Sequence, residues 1–378
     1  MTRKLCVMPN DPLSAYLKKG EIKERYFNPK NIFDEVHVIS LFDFDETEEN
    51  LKEVAGNAKL KIHVLGKINL LNKNKKKHLV MNLVRQIKPD VIRSFNPLLQ
   101  GWIGANLKKE LGIPYVISLH GDYDRDLRHY ARKNHNLPSY LKLKYTEKTI
   151  EPFSIKNADE IIIVYEFIRE YAKKMGARSI NLIYNKVDLS KFSPNVKPAF
   201  VETKPIVICV GRLMSEKNQE CLIKAIKDLD VILLLVGDGP DYDRLTKLVE
   251  QLGLDQKVRF ERSIPNKDIP GYYAAAQVFA LPIKYGGFAI PALEAASSGL
   301  PVILPKQKTD PEPDLIKDFA MLIDNNPESF RDGIARVLED SKLRQNMIKL
   351  GFETMKKIHS EIMEEKEKDL YISLLQKR

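Results

Sequence analysis

Residues 281–305 read LPIKYGGFAIPALEAASSGLPVILP. An apolar strand, Val278 to Leu281, runs into a turn containing Gly286 and Gly287, and a helix follows from Ala292 to Ser298. Two adjacent glycines let backbone approach a ligand closely, and Pro291 at the helix start leaves the first amides free to face an anion. Gly299 stops the helix and a further strand, Pro301 to Leu304, begins. Strand, glycine turn, helix and strand make one unit of a parallel α/β sheet, here with one carboxylate, Glu294, on the helix. An ordinary connection that binds nothing fits the same letters, so a second segment has to decide.

That segment is Ile206 to Val210, a strand of buried type that leads into Gly211-Arg212-Leu213-Met214-Ser215-Glu216-Lys217-Asn218 and a helix from about Gln219 to Lys227. Arg212 and Lys217 are then two cations at the carboxyl end of a strand, where open α/β sheets bind ligands. Such a pair suits a diphosphate. Either cation alone is equally a solvated surface charge, the usual fate of the 61 Lys and Arg of this chain.

Working outward, strands and helices alternate throughout, which implies parallel sheets with crossover helices. The first half offers strands at Lys4–Met8, Glu35–Ser40, Lys61–Leu65, Val91–Ser94, Tyr115–Leu119, Glu160–Val164 and Ser179–Ile183. The second offers Ile206–Val210, Val231–Val236, Val258–Phe260, Val278–Leu281, Pro301–Leu304 and Ala320–Leu322. A length of 378 residues exceeds what one core usually fills, so two domains are expected. The stretch Ser193 to Lys204, flanked by prolines, is the expected linker, and the charged tail from about Arg344 reads as two helices.

With both segments in view, the chain resembles the retaining glycosyltransferases that use nucleotide sugars and have the two-domain GT-B fold, in the large family numbered four. The resemblance covers nearly the whole length. It implies two Rossmann-like domains facing across a cleft: residues 1–195 for the acceptor, 196–355 for the nucleotide sugar, and a helix at 356–378 that packs back on the first domain. It implies that Gly211, Arg212 and Lys217 hold the donor diphosphate, that Glu294 holds the ribose hydroxyls, and that Ile264 pins the base with main-chain groups. Gly286, Gly287, Phe288, Ala289 and Ile290 would line the donor. The family's motif has two glutamates eight positions apart, and Gly286 stands where the earlier one is usual. That departure leaves the donor sugar, and with it catalytic competence, open. His120 matches a histidine near the donor sugar, Glu151 a family position of structural kind, and Val236-Gly237-Asp238-Gly239-Pro240 a recurring structural turn. Tyr184-Asn185-Lys186-Val187-Asp188 resembles the segment that closes the first domain, with Lys186 in place of glycine. After the first strand the usual glycine pair is missing, and only Lys19-Gly20 stands nearby.

Composition excludes several rivals. No apolar run approaches the roughly 18 residues of a membrane span, and Lys4 to Met8 is too short for a secretory leader. Cys6, Cys209 and Cys221 have neither metal nor disulfide spacing and read as reduced, buried and structural, which places the protein in the cytoplasm. Charge is unevenly shared. Residues 1–200 hold 35 Lys and Arg against 23 Asp and Glu, and the rest hold 26 against 28. The excess peaks at Lys73, Lys75, Lys76 and Lys77, ahead of Leu79, Leu83 and Val84 at helical spacing. A basic amphipathic helix suits an anionic membrane face, and a solvated helix face fits equally; nucleic acid is disfavoured because interleaved aromatics are missing.

Asp122-Tyr123-Asp124 looks like the metal motif of the other main glycosyltransferase fold. Arg212 and Lys217 already supply positive charge, so no metal or other cofactor is expected, and Asp122 is placed on the acceptor side. The expected reaction moves a sugar from a UDP- or GDP-sugar to a glycan or lipid-linked acceptor with retention. No carboxylate is placed as a covalent nucleophile, which favours front-face attack, with domain closure about the linker to exclude water. A non-catalytic nucleotide-sugar binder, or an epimerase or hydrolase on the same fold, are the alternatives.

Overall fold

A computed structural model describes residues 2–377 except 19–21, 134, 186–190, 285–289 and 307–314, with the main chain only of residues 125, 126, 130 and 133. The chain divides into two compact units, Met1–Tyr184 with Glu361–Arg378, and Asn185–Ser360.

The first unit is built on a parallel sheet of β1 (Lys4–Met8), β2 (Glu35–Ser40), β3 (Lys59–Val64), β4 (Val91–Ser94), β5 (Tyr115–Leu119), β6 (Glu160–Ile163) and β7 (Ile180–Leu182), in the order β3-β2-β1-β4-β5-β6-β7. Strands covered on both faces read as continuous apolar runs, and β1, β4 and β5 are buried almost throughout. The helix Ser360–Gln376 completes this core with Met363, Leu370, Tyr371 and Leu374. Each such side chain contributes roughly 1.5–3 kcal/mol relative to exposure. The tail therefore belongs to the first unit because its apolar side chains find their core there.

The second unit repeats the plan with β8 (Ile206–Val210), β9 (Ile232–Val236), β10 (Val258–Glu261), β11 (Val278–Ala280), β12 (Val302–Pro305) and β13 (Ala320–Ile323), in the order β10-β9-β8-β11-β12-β13. The order reverses between β8 and β11, and a parallel sheet opens a ligand crevice at the carboxyl ends of such a pair. The two segments singled out by sequence follow those two strands.

The boundaries differ from expectation. The first break falls at Tyr184–Asn185 rather than after 195, and the second at Ser360–Glu361 rather than after 355. The proline-rich stretch is not a free linker, because the second unit holds it. Phe192 packs edge-on against Tyr273 at 5.8 Å and Phe200 against Tyr272 at 5.8 Å, while the Ala199 amide donates to the Gly271 carbonyl.

Candidate active site

In the second unit, β8 delivers Gly211 and the Arg212–Lys217 turn, and β9 delivers the Gly237–Gly239 turn beside it. The two turns interlock through main chain: Gly211 donates to the Val236 carbonyl at 2.9 Å, Leu213 to Asp238 at 3.0 Å, and Asp241 to Leu213 at 3.0 Å. Gly237 sits at φ 138°, and a side chain there would run into the Gly211 carbonyl. The Gly-Asp-Gly turn thus supports the turn that carries the cations. Gln219 accepts no such passive role: its amide nitrogen donates to the Arg212 carbonyl at 2.9 Å and fixes that residue's backbone.

Arg212 is exposed and Lys217 half-buried, with the Lys217 stem lying 3.9 Å from where a Gly211 side chain would start. Among the described residues neither forms an ion pair. Burial pulls the Lys217 ammonium below its ordinary value, with Cys209 and Glu216 working against that shift. A cation partly stripped of water and left unmatched attracts an anion strongly.

The segment after β11 is tied to the same turn. The Lys284 amide donates to the Glu216 carbonyl at 2.8 Å, and Asn325 donates to the carbonyls of Pro282 and Ile283 while accepting from Asn218 at 3.3 Å. Gly286, Gly287, Phe288 and Ala289 lie outside the described residues. Ile290 opens the helix Ile290–Ser297, in which Glu294 is half-buried. Its Oε2 accepts from the hydroxyl of fully buried Tyr273 at 3.0 Å. Burial, reinforced by Glu294, raises the Tyr273 phenol well above its usual value, so the phenol stays protonated and keeps donating. The Tyr273 hydroxyl thus fixes one oxygen of the Glu294 carboxylate.

Ile264 is half-buried, next to Ser263 at φ 56°. Arg262, where the family has glycine, turns to Asp238 with two hydrogen bonds of 3.1 Å and stacks 4.0 Å above the Tyr242 ring. Matched by Asp238, it is not a third loose cation.

In the first unit, β5 carries His120 just past its end. The ring stacks on Phe95 at 5.6 Å, and the Arg93 guanidinium lies 4.4 Å from the centre of the same Phe95 ring. Arg93 is buried and bonded to Ser118 at 3.0 Å, to Tyr371 at 3.0 Å, and to Glu367. Burial first, then Arg93 and Lys23, push the His120 imidazole down to about 4, with Glu367 opposing. The residue as a whole is exposed, and the direction of the shift is an imidazole neutral at neutral pH.

Asp122 accepts from the Asp124 amide at 2.9 Å, and the Asp124 carboxylate is taken by Arg128 and Lys174. Glu151, fully buried, binds Arg128 twice over and accepts from Thr146 and Tyr171. The Asp124 carboxylate is therefore part of a structural network, and among the described residues no group of three or more metal-ligating side chains occurs. The basic run fares differently from expectation as well. Lys73 lies over Trp102 at 4.3 Å, Lys76 binds the Leu65 carbonyl and Lys77 pairs with Glu110 at 2.9 Å, which leaves Lys75 facing solvent. Leu79 is 43% exposed, and the buried stripe is Val80, Met81, Val84 and Ile87.

Residues 193–354 match the family described as Glycosyl transferases group 1, and residues 34–191 match Glycosyltransferase Family 4. The chain belongs to this glycosyltransferase family. The glycosyltransferase is 27% identical over 336 residues to the UDP-Gal:alpha-D-GlcNAc-diphosphoundecaprenol alpha-1,3-galactosyltransferase of Escherichia coli, 82% of this chain and 81% of that one. It is 29% identical over 177 residues to the GDP-mannose-dependent alpha-(1-6)-phosphatidylinositol monomannoside mannosyltransferase of Mycolicibacterium smegmatis, 41% of this chain and 46% of that relative, so about half of the relative's length is spanned. Among solved structures, Anabaena HepE in complex with UDP superimposes with a TM-score of 0.73 at 18% identity, covering 98% of this chain and 100% of that one. Sucrose-phosphate synthase from Thermosynechococcus elongatus gives 0.73 at 18%, covering both chains fully. Likeness at such identity establishes the two-domain α/β fold of GT-B enzymes.

Sequence alone missed Tyr273, Asn325, Gln219 and the Arg93–Glu367 pair of this glycosyltransferase. Tyr273 looks like an ordinary core aromatic in Ile269–Ala275, and Asn325 like part of a polar loop before Pro327. Both act through geometry that no local spacing encodes.

Proposed function

We propose that the enzyme transfers a sugar from a UDP- or GDP-sugar to a lipid-linked glycan acceptor, with retention at the anomeric carbon and without a divalent ion. The observation that carries this is the pair of cations, Arg212 and Lys217, unpaired among the described residues at the strand-order reversal of the second unit. Diphosphate leaving from the sugar gains negative charge as the bond breaks, and preorganised cations lower the barrier because they act where that charge develops. Glu294, held by Tyr273, serves the ribose, and Ile264 the base. His120 serves the sugar end as a neutral hydrogen-bonding group, and Asp122 lies on the acceptor side. The departing phosphate accepts the acceptor's proton, since no carboxylate is placed as nucleophile. The lipid-linked acceptor is supported by the E. coli and mycobacterial relatives, whose names specify diphosphoundecaprenol and phosphatidylinositol acceptors. Among the described residues no helix is long and apolar enough to cross a membrane.

Calorimetric titration with UDP and GDP, before and after chelator treatment, tests the donor site. Unchanged affinity and unchanged transfer in chelator are expected. Strict dependence on manganese or magnesium would return the aspartates to the chemistry, and nucleotide binding without transfer would make the protein a non-catalytic member.

A further inference from the structure

The helix Leu137–Lys156 in the first unit is two helices in character. Its second half is packed: Thr146, Ile150, Glu151, Ser154 and Ile155 are buried, and Ser154 lies against Gly101 of the neighbouring helix. Its first half buries nothing. There Leu137, Leu141 and Tyr145 are 62%, 58% and 48% exposed. Spacing of four puts the three on one face of the helix. Asn136 caps this helix by accepting from the Ser139 amide at 3.2 Å, so the exposed half is an ordered start and not a frayed end.

Beside that apolar stripe the exposed charges are cationic among the described residues. Arg132, just before the helix, and Lys142 and Lys148 on it are exposed. Glu147, the one acidic residue between 127 and 148, is occupied by Lys144 and Lys174. A second copy of the chain is a poor occupant, because a twofold contact would set this cationic border against itself. Protruding leucines and a tyrosine ringed by cations match the acyl boundary and headgroups of an anionic bilayer.

We propose that the face formed by Leu137, Leu141 and Tyr145 with Arg132, Lys142 and Lys148 docks the enzyme on an anionic membrane surface. The three side chains enter the headgroup boundary and the cations hold the lipid phosphates. The helix lies in the hairpin that follows the His120 loop, so docking there brings a membrane-held acceptor to the first unit. This face replaces the run at 73–77, whose lysines are mostly engaged within the fold. The proposal rests on the lipid-linked acceptor named above.

Flotation with phosphatidylglycerol-containing vesicles and with pure phosphatidylcholine vesicles, at low and high salt, tests it. The wild-type chain is expected to float with the anionic vesicles and to be released by salt. A Leu137→Ser, Leu141→Ser variant should partition on the order of tenfold more weakly, since its apolar insertion is lost. Tyr145→Ser, a milder change, should weaken binding less, and Lys75→Ser should leave it unchanged; unaltered thermal unfolding checks that each variant folds. Failure of the wild type to bind anionic vesicles, or equal binding by the double variant, overturns the proposal. A dimer in sedimentation equilibrium that the double variant abolishes overturns it too, by giving the stripe to a second copy. UDP and GDP binding, measured on the same preparations, reports separately on the transfer reading.

Discussion

The two units each place arginines near strand ends, and treat them oppositely. In the first unit buried Arg93 is bound by Glu367 and Tyr371 from the last helix, and buried Arg128 by buried Glu151 and half-buried Asp124. In the second, neither exposed Arg212 nor half-buried Lys217 forms an ion pair among the described residues. A buried charge must be matched or it destabilises the fold, whereas a partly exposed one left unmatched is an invitation to an anion. Sign and position of charge are therefore weaker pointers to a ligand than the absence of a built-in counter-charge.

The comparison breaks first at Glu367. Glu367→Ala leaves Arg93 buried without its carboxylate and should cost roughly 3–5 kcal/mol in chemical unfolding, the range for removing one partner of a buried pair. Detachment of the last helix from the first core should accompany it. Loss of under about 0.5 kcal/mol, the range of ordinary surface changes, would show that Arg93 finds another partner and that the pair is not what holds the helix.

The converse holds for the second unit. Lys217→Ala and Arg212→Ala should each lower turnover on the order of 10²-fold, in the range for one preorganised donor. Stability should scarcely change, since neither side chain supports the fold. An enzyme with unaltered turnover after Lys217→Ala would remove the cation from the reaction. A large loss of stability would place Lys217 with Arg93 as a structural charge.

How much of this was legible in the letters follows from where each signal lives. Strand identity was, because buried parallel strands are local apolar runs: β1, β2, β4, β5 and β8 begin and end where the sequence places them. The domain break was not, because prolines mark irregular chain without saying which core the irregular chain lies against, and Phe192 and Phe200 lie against the second unit. The glycines and cations after β8 were legible as a motif. Whether a cation is already matched was not, since Glu367 of Arg93, Glu110 of Lys77 and Glu151 of Arg128 are distant in sequence and meet them only in the fold. That Lys77 meets Glu110 and Lys73 lies over Trp102 was illegible for the same reason.

Glu294 sharpens the contrast, since it is an acid whose partner is neutral. Glu294→Gln keeps size and the Tyr273 contact while removing the charge, so nucleotide affinity by calorimetry should fall by roughly 1–3 kcal/mol. Tyr273→Phe frees the carboxylate from behind and should cost about 0.5–1.5 kcal/mol of the same affinity. Equal affinity in wild type and Glu294→Gln would make the glutamate an ordinary helix residue and Tyr273 its packing partner.

The smallest expected effect tests whether His120 joins the matched or the unmatched group. Its imidazole is held down toward about 4, by burial first and then by Arg93 and Lys23 against Glu367, while an unfolded chain binds that proton near 6.5. Between those values the unfolded state carries more proton on this group, so His120 makes stability fall as pH falls from about 6.5 toward about 4. His37 and His63, also lowered by burial, add to the same slope, so the test is a difference. His120→Gln should shallow the loss of stability across that window and leave the curve above pH 7 unchanged, as read by urea unfolding at each pH. An identical slope in the variant would mean that solvent screens the ring fully, and that His120 can become a cation at the site beside Arg93. A shallower slope keeps it neutral, which spares the first unit an unmatched charge and leaves that role to Arg212 and Lys217.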